Sequence, residues 1–209
     1  MNLQELSVKE FIDKVTGNDP VPGGGSVSAL NGSLAASLAA MVANLTVGRK
    51  KYAEVNDEME QISARMTEQS AKLLADVDRD AEAYDRVFAA FKLPKETDEE
   101  KAVRKEAIQR ETKYAAEVPM EVARTASALL PMIDAAARRG NSNAVTDATV
   151  AMMCARTAVI GALLNVRINL TSIKDEEFVA RLREEADRLE ADVLAREAAV
   201  IAHTKKACE

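Results

Sequence analysis

The chain has 209 residues, 47% of them apolar but only 3% aromatic and none of them tryptophan, enough for one sizeable core. A net charge of −6 argues against broad nucleic-acid binding, and two cysteines, Cys154 and Cys208, are too few for a disulfide framework. Period-two runs of Val, Ile, Thr and Tyr are missing, so the alanine-rich composition predicts closely packed helices rather than sheets.

The opening MNLQELSVKEFIDK is charged and amphipathic, unlike a secretory leader, and a cytoplasmic location is the expectation. Ser7 and Glu10 have the spacing of a capping box for a first short helix, which runs to about Thr16 and stops at Gly17. Residues 18–25 read as a loop. A second helix is expected from Ser26, as N-cap, to about Val47, and a third from near Tyr52 to Phe91. Pro94 ends it and Thr97 caps the next. The fourth helix reaches about Arg139, with breaks or kinks expected at Pro119 and Pro131. GNSN, residues 140–143, is a boundary. A fifth helix covers residues 144–170, and a charged amphipathic sixth runs from Asp175 to about Lys206. With no fixed-period repeat and no linker, the reading is one all-α domain over residues 1–209, a bundle of long antiparallel helices.

Three glycines, Gly23, Gly24 and Gly25, precede Ser26. A Walker loop needs a Gly-Lys-Ser/Thr ending after a strand, and a dinucleotide fingerprint needs a βαβ unit; neither surrounds them. Glycines here allow close approach of a ligand or a neighbouring helix, and the following helix N-terminus favours anions and acceptor atoms. The uncharged stretch from Ser26 to Val47 has the length of a membrane span, but Ser26, Ser28, Asn31, Ser33, Ser37, Asn44 and Thr46 oppose insertion. Its rows of small residues suit an internal helix or a subunit contact, and no membrane association is expected.

Along the third helix, Met59, Ile62, Met66, Leu73, Val77, Ala81, Tyr84, Phe88 and Phe91 fall on one arc, expected to be the core face. Asp80 falls inside its edge, whereas Asp76, Asp78, Glu82 and Asp85 fall to the flanks or behind. A carboxylate on an apolar stripe loses hydration, and its pKa rises toward the range useful for proton transfer; a buried ion pair is the structural alternative. Asp147 and Arg156 lie on an almost wholly apolar fifth helix, too far apart to pair, so each needs a partner elsewhere or a ligand. Asn165 and Asn169 share a face and suit either an amide-bearing ring or a neighbouring helix end. Arg49, Lys50 and Lys51 offer an anchor for an anionic tail or an ordinary solvated turn. The only histidine, His203, is near the C-terminus, and no metal-ligand spacing is present.

The blocks PVPGGGSVSALNGSLAASLAAMVANLTVGRKKY, DRDAEAYDRVFAAFKLP, AAEVPMEVA and GNSNAVTDATVAMMCARTAVIGALLNVRINL together resemble the cyclodeaminase/cyclohydrolase family, the C-terminal half of formimidoyltransferase-cyclodeaminase. The resemblance spans nearly the whole chain, in order. It implies a dimerising all-helical fold with a tetrahydrofolate site near the subunit contact; the one-carbon centre of such a substrate is already electrophilic, so neither a metal nor a permanently bound cofactor is expected. It implies hydration of 5,10-methenyltetrahydrofolate to 10-formyltetrahydrofolate, or closure of 5-formimidoyltetrahydrofolate to the methenyl compound with loss of ammonia. Asp80 matches the acid of the family's D-x-E-A-[FY] block and takes the catalytic role by similarity. Residues 23–26, Asp147, Asn165 and Asn169 match other family blocks and are the candidates for folate binding; Lys50 and Lys51 are the candidates for the glutamate carboxylates. The alternative of another class is a helical folate-binding or interaction module without catalysis.

Overall fold

The computed structural model describes residues 2–209. Among them are six α-helices, three short 3₁₀ segments and no strand: α1 (Val8–Val15), α2 (Gly24–Asn44), α3 (Asn56–Phe91), α4 (Asp98–Arg139), α5 (Val145–Leu170) and α6 (Glu176–Ala207). The predicted Ser7–Glu10 capping box is present, and the predicted cap Thr97 proves to form a second box with Glu100, each satisfying two amides that a helix start leaves free. Two boundaries differ from expectation. Gly23 rather than Ser26 is the N-cap of α2, because the Ser26 side chain is committed elsewhere. Residues Lys50–Val55 form a 3₁₀ segment, so α3 starts at Asn56 rather than Tyr52.

Long helices joined by short turns pack antiparallel in sequence order. Ser26 meets Val77 and Asp80, Ser33 meets Ser70, and Asn44 meets Ser63, which sets α2 against α3 in opposite directions. Arg79 with Glu121 and Arg86 with Glu111 do the same for α3 and α4. α5 lies between α2 and α4, and α6 covers the outer side of α4 and α5. The core takes side chains from α1 through α6, with Phe11 the only buried residue of α1.

α2 and α5 are each long and apolar enough to cross a membrane by length and composition, yet half or more of each apolar window is buried inside the bundle. Small residues bring the two helices close. A Cβ on Gly161 would lie 2.3 Å from the Ser28 hydroxyl oxygen, so only glycine at 161 lets Ser28 sit there and donate to the Gly24 carbonyl at 2.6 Å.

α4 runs through Pro119 and Pro131 as a single element rather than breaking at either. Proline at 119 has no N–H for the carbonyl four residues earlier, that of Ala115. The Asn169 side chain of α5 donates to that carbonyl at 2.8 Å. The asparagine thus supplies the hydrogen bond that the proline removes. Asn169→Ala is expected to destabilise the fold by about 1–3 kcal/mol, the cost of a buried carbonyl left unpaired. In a Pro119→Ala background the loss should shrink, because a helical amide is restored at 119; urea unfolding of the four proteins in the cycle measures this.

Candidate active site

The first turn of α2 is the meeting point. Its amides have no intrahelical partners, and the helix dipole places partial positive charge there. Asp80 reaches this turn from α3. Its carboxylate lies so near Gly25 that a Cβ at that position would be 2.0 Å from Oδ1 and 2.6 Å from Oδ2. The Ser26 hydroxyl is 2.9 Å from Asp80 Oδ2 and 3.1 Å from the Val77 carbonyl, between which it can divide its one proton. Asn165 comes from α5: its Nδ2 would be 3.2 Å from a Cβ on Gly24 and donates to the Gly161 carbonyl at 2.9 Å. Gly23, Gly24, Gly25, Ser26, Asp80 and Asn165 therefore converge from three parts of the chain.

Asp80 is partly buried and has no ion-pair partner among the described residues. Burial pushes its carboxyl above the ordinary carboxylate range, while the Ser26 hydroxyl and amide pull the other way. This is a group that can hold or release a proton without displacing a cation.

One turn earlier, Asp76 is only 3% exposed, although its position on the helix put it to the flank of the apolar arc. α4 covers it there. Arg79 donates to its Oδ1 at 3.1 Å and also to Glu121, while Oδ2 has no hydrogen-bond partner among the described residues. Burial raises its pKa and Arg79 opposes that.

The other candidates lie apart. Lys50, Lys51 and Asp147 sit at the far end of α2, which is about 30 Å long at 1.5 Å per residue. Lys51 donates to the Ser142 hydroxyl at 3.3 Å, and Lys50 is exposed. Asp147 is half-buried in the first turn of α5 and makes no ion pair among the described residues, whereas Arg156 pairs with Glu197 of α6 at 3.1 Å. Asn169, with its amide given to Ala115, faces α4.

The α3 arc is not buried along its whole length. Met59 to Val77 are in the core, but Tyr84, Phe88 and Phe91 are 41%, 50% and 51% exposed. The reason is coverage: α2 begins opposite Asp80, and α3 continues for about 16 Å beyond it at 1.5 Å per residue. Position on the arc was right; burial required a neighbour that stops short.

The family model described as formiminotransferase-cyclodeaminase matches residues 7–188. The chain belongs to the formiminotransferase-cyclodeaminase family. It is 36% identical over 186 residues to a methenyltetrahydrofolate cyclohydrolase of Methylorubrum extorquens, covering 89% of each chain. It is 36% identical to the formimidoyltransferase-cyclodeaminase of Rattus norvegicus over 87% of this chain, but spans only 34% of that longer protein. The crystal structure of a formiminotetrahydrofolate cyclodeaminase from Thermotoga maritima superposes with a TM-score of 0.88 at 34% identity, over 99% of this chain and 100% of that one. The all-α fold read from composition is thus the fold of this family.

Because the folded state favours the protonated form of Asp80, that stabilisation is complete below the ordinary aspartate value of 3.8 and is lost as pH rises through the raised one. Asp80→Asn is therefore expected to melt above the parent protein at pH 7, and the gap should close as pH falls below the usual carboxylate range. Thermal melts from pH 3 upward, on the order of one pH unit apart, check the sign.

Proposed function

We propose that the protein is a cytoplasmic folate one-carbon enzyme, a 5,10-methenyltetrahydrofolate cyclohydrolase that needs no metal, with Asp80 as its general acid and base. The observation that carries this reading is the half-buried, cation-free Asp80 carboxyl set against the first turn of α2. The activity named for the Methylorubrum extorquens relative, which matches along 89% of both chains, supports the choice of reaction.

The methenyl carbon between N5 and N10 is part of a cationic amidinium and is already electrophilic. Asp80 takes a proton from water as the oxygen bonds to that carbon. It then returns the proton to N5 as the C–N5 bond breaks. Loss of the hydroxyl proton to solvent leaves the formyl group on N10, so one proton is released for each water consumed. The hydroxyl and amide of Ser26 and the α2 dipole keep the carboxylate charged when it must accept, and burial makes protonation accessible when it must donate. Ser26 aims the carboxyl through its hydroxyl.

A second reading, formimidoyltetrahydrofolate cyclodeaminase, is favoured by the likeness to the Thermotoga maritima structure. There N10 attacks the formimidoyl carbon, the N10 proton passes to the former imino nitrogen, and protonated Asp80 gives that nitrogen a second proton as its bond to carbon breaks, so ammonia leaves and one proton is consumed. One assay separates the two: the loss of methenyltetrahydrofolate absorbance reports hydration, and its appearance from the formimidoyl compound reports deamination. Asp80→Asn should lower kcat about 100-fold or more in whichever reaction the parent protein catalyses, as expected for loss of a general acid–base group. Binding of folate without turnover by the parent protein would support the non-catalytic module instead.

The reading includes a homodimer. Leu34, Met41 and Leu45 form an exposed stripe on α2, and Val150, Met153, Leu164 and Ile168 form another on neighbouring α5. Two such stripes side by side are apolar surface of the kind that marks a subunit contact. A two-fold axis across the middle of α2 would set the partner's Lys50 and Lys51 near Asp80, where they would bind the glutamate carboxylates that one protomer's own lysines are a helix length too far to reach. Mixing an Asp80→Asn protein with a Lys50→Glu/Lys51→Glu protein then yields heterodimers with one intact site. Activity should return to about a quarter of the parent value in a random 1:1 mixture of dimers. No recovery in a verified heterodimer would place the lysines' role within one chain or away from the site.

A further inference from the structure

A cleft of about 530 Å³ opens beside the site, between the C-terminal half of α3 and the residues that lead from α1 to the glycine turn. Ala81 and Tyr84 form one wall, adjacent in sequence to Asp80 and one turn beyond it, and Pro20 and Val21 form the other, just before Gly23. Phe88 extends the α3 wall. Its ring and that of Tyr84 stack, with centroids 6.4 Å apart and planes within 15° of parallel, giving an aromatic ledge. The ledge is the part of the α3 apolar arc that α2 does not cover, and it is continuous with the row that carries Asp80.

The cleft is acidic. Asp19, Glu82 and Asp85 line it and make no ion pair among the described residues; Lys14 is its one cation. Asp78 also lines it but accepts the backbone amides of Leu3 and Gln4, fixing the N-terminal segment as a rim. Lys92 already lies 4.1 Å from the centroid of Phe88, so the ledge holds a positive charge against a ring face.

We propose that this cleft seats the fused rings of the folate substrate. The flat aminopyrimidinone stacks on Tyr84 and Phe88. The carboxylates of Glu82 and Asp85 receive its N–H edge, a donor pair that suits a carboxylate as a guanidinium does. The methenyl cation is drawn to the same acidic wall and aromatic faces, which brings its carbon toward Asp80. The cleft has the size of a small-molecule site, and its lining residues Ala81 and Tyr84 are the next residue and the next turn of α3 after Asp80. The inference rests on the folate reading and adds where the rings lie and what holds them.

Steady-state kinetics with 5,10-methenyltetrahydrofolate test it, on variants whose far-ultraviolet circular dichroism and melting match the parent. Tyr84→Ala and Phe88→Ala are each expected to raise KM about tenfold with kcat within about threefold, the pattern of lost uniform binding. Tyr84→Phe, which restores the ring, should recover most of that loss. A tetrahydropterin lacking the benzoylglutamate should inhibit the parent protein competitively and weaken about tenfold against Phe88→Ala, since stacking on an aromatic is worth roughly that factor. Unchanged KM in both alanine variants of an active enzyme would overturn the subsite alone. So would a smaller sedimentation coefficient for Phe88→Ala, which would mean that a second copy covers the ledge. A parent protein that turns over neither folate would overturn the folate reading and the subsite with it.

Discussion

A carboxylate resting on the α-carbon of Gly25 is the contact on which the site depends. Any side chain at that position would fill the space that the Asp80 oxygens occupy. The contact also requires a particular register between α2 and α3, and polar pairs along the two helices maintain it: Ser33 and Ser37 with Ser70, and Asn44 with Ser63. A slip of α3 by one residue would present Arg79 or Ala81 to the glycine turn instead. The small-residue surface of α2 thus serves two ends, allowing α5 to approach on one side and aligning an acid on the other.

The internal helices pack by shape and the outer ones by charge. α2 and α5 bring alanine, serine and glycine together, with Ala35, Ala36, Ala39, Ala43, Ala151, Ala155, Ala158 and Ala162 fully buried. Around them, ion pairs tie α3 to α4 through Arg79 and Arg86, and α4 to α6 through Arg124, whose two nitrogens meet both oxygens of Glu185 at 2.7 and 2.6 Å. The close axes carry the hydrophobic stabilisation, while the peripheral pairs fix which helix lies against which.

What could be read in advance was what depends on residues near one another in sequence. Ser7 with Glu10, and Thr97, announced two helix starts, the apolarity of residues 144–170 announced a helix, though one with Val150, Met153, Leu164 and Ile168 left exposed, and the 100° step placed Asp80 on the edge of a stripe. What could not be read was coverage by elements distant in sequence. Asp76 is buried because α4 closes over it, and Tyr84, Phe88 and Phe91 are open because α2 starts too late to reach them. Asn169 suited either a ring or a neighbouring helix end, and a proline fifty residues away leaves the carbonyl that its amide meets. Lys50 and Asp147 shared the blocks that resemble the family with Gly25 and Asn165, but antiparallel packing of α2 and α5 sends the two sets to opposite ends.

Asp76 and Asp80 show why burial alone does not leave an acid free to exchange a proton. They stand one turn apart on the same helix, and desolvation raises the pKa of both. Asp76 is closed in by α4 and held by Arg79, which is itself shared with Glu121, so releasing or taking a proton there would unbalance a three-residue charge network. Asp80 has a hydroxyl and the start of a helix as partners, neither of which carries a full charge, and it lies where the cover of α2 ends. Protonation of Asp80 removes a charge that the site tolerates in either state. The same helix therefore carries one carboxylate whose partner locks it and one whose partners leave it free, and the position of the α2 N-terminus decides which is which.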